Sequence, residues 1–136
     1  FFFTPDEFRA KIYAGEFVEY EEVYPGRFYG TLKSQVEEQL TRQNILFDVD
    51  VKGGCSLKKF YGPRALFIFV QAPSVDEMRK RLVQRGDTAP EEIENRIGKA
   101  EYEMTFSKYA DRVIVNDNLD KAKEEVLAVV NKFLNE

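Results

Sequence analysis

Two aspartates end a short apolar run, at a point where carboxylates could do chemistry. Asp48 and Asp50 close the run that starts at Asn44, and they precede the pair Gly53-Gly54. The run has the length and composition of a buried strand. In an open α/β sheet, ligands bind outside the carboxyl ends of the parallel strands, so acids placed there face a ligand. The alternative is that these acids cap the next helix or face solvent.

Three arginines surround a predicted break between two helices. Arg81 and Arg85 are four residues apart on one helical face, and Arg96 lies beyond a break that contains glycine and proline. A helix-loop-helix flap of this kind could bring three guanidinium groups to one anion. Guanidinium groups suit phosphate oxygens, and phosphoryl transfer depends mainly on positioning and charge neutralisation. The alternative is a solvated face on which the arginines pair with acids such as Glu77 and Glu92.

A carboxylate, a phenol and a hydroxyl lie near a predicted β-ribbon turn. They are Glu19, Tyr29 and Thr31. The pairing edge of guanine presents two adjacent donors and one acceptor, so an anionic acceptor with a hydroxyl donor matches it. A carboxylate would instead repel the acceptor N1 of adenine. An ordinary ribbon surface with a half-buried Tyr29 remains an equal alternative on composition alone.

The composition excludes several classes of function. The 136 residues fit one domain, and 43% hydrophobic with 32% charged residues is ordinary for a globular protein. A net charge of −4 argues against a protein that coats nucleic acid. Without histidine, zinc chemistry and Ser-His hydrolysis are excluded. The single Cys55 fits a reducing cytoplasm, and no long apolar span indicates a membrane.

Capping residues and periodicity predict the elements of the first half of the chain. A helix is predicted to start at Thr4 and to stop at Gly15. Residues 16–30 then predict an antiparallel ribbon, to which Phe1 to Phe3 are expected to add a strand. Thr31 is predicted to start the next helix, which precedes the strand at residues 44–51.

The second half predicts strands that alternate with helices. A short helix after Gly53-Gly54 is followed by apolar strands at residues 65–70 and 112–115. Capping boxes are predicted for two intervening helices, and a last helix ends the chain. The paired capping residues are Ser74 with Glu77 and Thr88 with Glu91. This order predicts an α/β fold with a parallel core sheet, helices and a small inserted β-ribbon.

Motifs along nearly the whole chain occur in the order and spacing of guanylate kinases, and the chain resembles that family. They are EFVE at 16–19, RFYGT at 27–31, FDVDVKG at 47–53, APS at 72–74, RL at 81–82, RG at 85–86, NR at 95–96 and VND at 115–117. The resemblance implies a P-loop nucleoside monophosphate kinase fold that transfers the γ-phosphoryl group of ATP to GMP or dGMP with Mg²⁺. It implies one partial kinase domain over residues 1–136, divided into three parts. These are a GMP-binding part at 1–31, a core at 32–73 and 108–136, and a lid region with flanking helices at 74–107.

The same resemblance implies roles for nine residues. Glu19, Thr31 and Asp48 resemble the guanine contacts, and Tyr29 resembles a contact to the GMP phosphate. Arg81, Arg85 and Arg96 resemble the lid and transfer arginines, with Arg85 also on the ATP side. Asn116 resembles the adenine-side residue, and Asp50 is assigned to the waters around magnesium.

The chain departs from the family pattern most clearly at its start. No Gly-x-x-x-x-Gly-Lys-Ser/Thr phosphate loop occurs in residues 1–136. We therefore expect the C-terminal three quarters of a guanylate kinase, inactive as an isolated fragment, with the first strand and phosphate loop absent. The runner-up hypothesis is a catalytically inactive guanylate-kinase-like interaction module. Partners beyond the two nucleotides are not indicated, neither nucleic acid nor membrane, and homo-oligomerisation is left open.

Overall fold

The computed structural model describes residues 3–136, without the side chain of Val23. The chain divides into two compact units, Phe1–Ala65 and Leu66–Glu136. Phe1 and Phe2, part of the predicted extra strand, lie outside the described residues, and Phe3 is not in a strand.

From Phe3 on, the first unit contains a β-ribbon, three α-helices and a short 3-10 helix at Gly62–Arg64. Its elements are α1 Pro5–Tyr13, β1 Phe17–Tyr24, β2 Arg27–Leu32, α2 Lys33–Leu40 and α3 Val51–Tyr61. The predicted start of α1 is confirmed, because Thr4 and Glu7 form a reciprocal capping box. The predicted helix start at Thr31 is wrong. Thr31 lies in β2 opposite Glu19, since the ribbon pairing continues to Leu32 before α2 begins.

One face of the ribbon packs against α1. The Phe8 ring stacks on Phe17 at 4.3 Å and on Phe28 at 5.0 Å between ring centroids. Gly30 lies under this contact. A Cβ atom there would lie 2.9 Å from the Phe17 ring and 3.0 Å from the Glu19 carbonyl oxygen, so any larger residue forces the ribbon and helix apart.

The predicted strand at residues 44–51 is wrong. Residues 43–50 have no assigned secondary structure, and Asp50 instead caps α3 by accepting a 2.8 Å hydrogen bond from the Gly53 amide. A strand exists only through hydrogen bonds to a partner, and no strand among residues 3–136 pairs with this segment. The short helix predicted after Gly53-Gly54 starts earlier, because both glycines lie within the first turn of α3.

The second unit contains the parallel pair of strands. Its elements are β3 Ile68–Gln71, α4 Val75–Arg85, α5 Pro90–Met104, β4 Arg112–Val115 and α6 Leu119–Leu134. The strands β3 and β4 are parallel, in a register that runs from Ile68 opposite Arg112 to Gln71 opposite Val115. The prediction of a parallel α/β sheet with flanking helices is thus confirmed.

The ends of α4 and α5 test two capping predictions. Ser74 accepts a hydrogen bond from the Glu77 amide, which confirms the start of α4, and Gly86 ends that helix with a φ of 71°. The predicted cap at Thr88 is wrong, because Ala89 is the N-cap of α5 and makes no side-chain bond. Pro90 holds the first helical position and the residue before a proline is extended, so the helix starts one residue later than expected.

Candidate functional site

Glu19, Thr31 and Tyr29 lie together on the open face of the ribbon. Residues that pair across strands share a face, and Glu19 pairs with Thr31 while Glu21 pairs with Tyr29. The other face carries Phe28 and Gly30 and packs on α1. The open face therefore presents the three residues expected to bind GMP, with their polar groups away from the aromatic core.

A short hydrogen bond fixes the carboxylate of this face. The Thr31 hydroxyl donates to Glu19 Oε1 at 2.6 Å, and both residues are half-buried. The bond leaves Glu19 Oε2 as an acceptor. Tyr29 is exposed. Glu21, opposite Tyr29, was not singled out from the sequence, although the ribbon register would have placed it on the same face.

Asp48 lies in the segment that leads into α3. Its neighbour Phe47 packs against the buried cluster of Val36, Leu57 and Tyr61. Val18, the neighbour of Glu19, packs against the same cluster. One core therefore anchors both chain segments that carry the predicted guanine contacts.

Asp50, two residues after Asp48, is the N-cap of α3. Its Oδ1 atom accepts the Gly53 amide, as expected for a carboxylate at the positive end of a helix. Helix capping was one of the alternatives for Asp48 and Asp50. For Asp50, the structure contains this cap. A contact to magnesium waters, through its second oxygen, stays a prediction.

Two of the three arginines pair with neighbouring exposed acids. Arg85 donates to Asp87 Oδ2 at 3.1 Å, and Arg96 donates to Glu92 Oε1 at 3.0 Å. A hydrogen bond from Thr88 and the nearby Arg85 guanidinium lower the pKa of Asp87. These two contacts are to different acids and do not bring the arginines onto one anion. Exposed pairs of this kind contribute little to stability, so they are easily exchanged for another anion.

Arg81 has different partners, because it reaches the end of β4. Its Nη1 donates to the Asn116 carbonyl at 3.0 Å, and its Nη2 donates to the Asp117 carbonyl at 3.4 Å. This contact joins two residues that were expected in separate roles. Asn116 is half-buried and borders an apolar cleft of about 450 Å³ that Val70 and Leu119 also line.

Comparison with known proteins decides the family. A family model described as guanylate kinase matches residues 1–133. The chain belongs to the guanylate kinase family. A relative named guanylate kinase from Bacteroides thetaiotaomicron is 62% identical over 136 residues, which cover 99% of this chain and 67% of the relative. A guanylate kinase from Thermotoga maritima is 37% identical over 131 residues.

A solved guanylate kinase structure has a fold similar to that of this chain. The crystal structure of guanylate kinase from Anaplasma phagocytophilum superimposes with a TM-score of 0.69 at 23% identity, over 97% of this chain and 63% of that chain. The predicted fold class is thereby confirmed. The chain spans about two thirds of the length of the curated relatives it matches, 67% of one and 66% of another.

Residues 3–136 contain neither a candidate membrane span nor a candidate metal cluster. No helix in that range is long and apolar enough to cross a membrane. No group of three or more Cys, Asp or Glu side chains in the same range could hold a metal ion.

Proposed function

We propose that the protein containing this chain transfers the γ-phosphoryl group of ATP to GMP, and to dGMP, in purine nucleotide metabolism. Membership of the guanylate kinase family supports this proposal. The observation that carries it is the 2.6 Å hydrogen bond from Thr31 to Glu19 on the open face of the ribbon. It holds a carboxylate acceptor where the adjacent donors of guanine can meet it.

The chemistry of this pair favours guanine over adenine. Guanine presents N1–H and the N2 amino group side by side, and a carboxylate accepts from both. Adenine has an unprotonated N1 at the same position, which the Glu19 carboxylate repels. Asp48 would supply a second acceptor for the amino group, and the Thr31 hydroxyl can turn to donate to the guanine oxygen.

The phosphates would be handled by a phenol and two arginines. Tyr29 lies on the same face as Glu19 and is exposed, so its hydroxyl is free to donate to the GMP phosphate. Arg85 and Arg96 would exchange Asp87 and Glu92 for phosphoryl oxygens during transfer. Guanidinium groups stabilise the charge that spreads over the transferring phosphoryl group.

Magnesium fits this chain as part of the MgATP substrate. Mg²⁺ keeps several waters and binds through one or two carboxylates plus substrate phosphates. The described residues 3–136 offer no cluster for a resident ion, and Asp50 already uses one oxygen as a helix cap. When bound, the ion neutralises phosphate charge. Asp50 would touch only its waters, and Asn116 would lie on the adenine side of ATP.

The isolated polypeptide of residues 1–136 is expected not to transfer phosphate. No Gly-x-x-x-x-Gly-Lys-Ser/Thr motif occurs in it. The backbone amides and lysine of that motif cradle the phosphates of a nucleoside triphosphate. The isolated polypeptide would keep the GMP-binding residues and lack the triphosphate cradle.

The test is ADP release by the protein that contains this chain, supplied with MgATP and one of three acceptors. We expect turnover with GMP, weaker turnover with dGMP and none with AMP. Rapid turnover with AMP would contradict the base recognition assigned to Glu19. GMP binding without ADP release from any acceptor would contradict catalysis and favour a guanylate-kinase-like interaction module.

A further inference from the structure

Each of the three nitrogens of the Arg81 guanidinium group donates one hydrogen bond. Its Nε donates to Glu77 Oε1 at 3.3 Å on the same helix, and its two terminal nitrogens donate to the carbonyls of Asn116 and Asp117. The fork geometry of a guanidinium suits such a set of acceptors. Arg81 thereby joins α4 to the loop that follows β4.

Arg81 differs in this respect from the other two arginines of its region. Arg85 and Arg96 each donate through Nη2 to one exposed acid. Those acids are solvated when the arginine leaves. The bond to the Asn116 carbonyl is part-buried, and an acceptor shielded from water loses more with its charged donor than an exposed carboxylate does.

The loop that Arg81 contacts, residues 116–118, is hydrogen-bonded at both ends. The Asn116 amide donates to the Gln71 carbonyl at 2.8 Å, which continues the pairing of β3 with β4. Asn118 caps α6 by accepting from the Lys121 amide at 3.1 Å. The contact from Arg81 therefore fixes the peptide groups between the last ladder bond and the first turn of α6.

We infer that Arg81 is a positioning residue that holds the Asn116 loop in place for the adenine end of ATP, and that it does not touch the transferring phosphoryl group. This inference rests on the proposed function for the identity of the nucleotide. It separates Arg81 from Arg85 and Arg96, with which the sequence grouped it. Loss of Arg81 weakens ATP binding, whereas loss of a transfer arginine slows the chemical step.

The test compares three variants of the protein that contains this chain. Arg81→Gln removes the fork, Arg81→Lys keeps one charged donor, and Lys80→Gln is the control. Lys80 is exposed on the same helix, and its change removes the same charge. With MgATP varied at saturating GMP, we expect Arg81→Gln to raise the KM for ATP about tenfold or more. Its kcat should stay within about threefold of the parent value.

The conservative variant and the control give the remaining kinetic outcomes. Arg81→Lys should restore part of the lost affinity for ATP, because an ammonium group can still donate to one carbonyl. Lys80→Gln should leave both constants unchanged within about twofold. A fall in kcat of more than about tenfold in Arg81→Gln, or an unchanged KM for ATP, would overturn the inference.

Amide hydrogen exchange keeps this test independent of the proposed function. Arg81→Gln, but not Lys80→Gln, should speed exchange at the Asn116 and Lys121 amides, because the loop between them is no longer held. Unchanged exchange at both amides would overturn the positioning role even in an active enzyme. An unmodified protein that releases no ADP with GMP would instead defeat the proposed function, and the exchange result would still decide the role of Arg81.

Discussion

The Thr31 hydroxyl donates a hydrogen bond to the Glu19 carboxylate across the ribbon, with 2.6 Å between the two oxygens. The two residues are direct cross-strand partners, so backbone pairing sets the distance between their Cβ atoms. On the reverse of the ribbon, the Phe8, Phe17 and Phe28 rings supply the packing that keeps it in place. The carboxylate that we propose as the guanine acceptor thus lies on a strand whose reverse face is packed.

Replacing Glu19 by Gln should weaken GMP binding selectively. The amide keeps the shape of the side chain but replaces one acceptor by a donor that opposes the donors of guanine. We expect the KM for GMP to rise by about one to two orders of magnitude, with little change in the KM for ATP. Glu21→Gln is the matched control, since it removes the same charge from the same face. Equal effects of the two changes would mean that net charge, rather than guanine recognition, is being measured.

Gly30→Ala should destabilise the first unit. The added methyl group would lie 2.9 Å from the Phe17 ring and 3.0 Å from the Phe8 ring, which is closer than atoms pack. Overpacking of this kind costs about 1–3 kcal/mol in the free energy of unfolding. The measurement is the urea midpoint of the protein that contains this chain.

Gly98→Ala provides the control for that experiment. Its Cβ would meet nothing within 4 Å, and Gly98 lies inside α5. Alanine is the better helix former there, so the change should raise stability by up to about 1 kcal/mol. A loss of stability in Gly98→Ala equal to that in Gly30→Ala would show that the close approach under Phe17 is not the cause.

Several helix ends of this chain were predictable from local signals, but the starts expected at Thr31 and Thr88 and the strand expected at residues 44–51 were wrong. Thr4, Ser74 and Gly86 act within one turn of their own helix, so their types and spacing were sufficient. Residues 44–51 have the composition of a strand. A strand also requires a second strand to pair with, and composition does not identify that partner. The fork of Arg81 reaches a carbonyl 35 residues away, a contact that no spacing along one helix reveals.

Asp50 allows the capping and magnesium roles to be separated. Asp50→Asn keeps an N-cap of equal quality but removes the charge, whereas Asp50→Ala removes both. We expect Asp50→Ala to lose about 1 kcal/mol of stability and Asp50→Asn to lose almost none. If Asp50 also touches the waters of magnesium, Asp50→Asn should raise the magnesium concentration needed for half-maximal turnover. An unchanged magnesium requirement would leave Asp50 with its capping role only.

The capping box of α1 predicts a pH dependence. Hydrogen bonds from the Thr4 amide and hydroxyl lower the pKa of Glu7 below its ordinary value of 4.5. A depressed carboxyl pKa stabilises the folded state above the unfolded pKa, and this contribution is lost as the pH falls through the folded pKa. The Tm difference between the parent protein and Glu7→Gln should therefore be full at neutral pH and shrink below pH 4.5. A difference that stays constant down to pH 2 would contradict the charged capping box.

The most direct measurement is a crystal structure of the protein that contains this chain with GMP bound. We predict that the guanine N1 and N2 atoms lie within hydrogen-bonding distance of the Glu19 carboxylate, with Thr31 beside the base and the phosphate near Tyr29. Guanine bound elsewhere, with Glu19 still bonded only to Thr31, would contradict the assignment of this ribbon face as the GMP site.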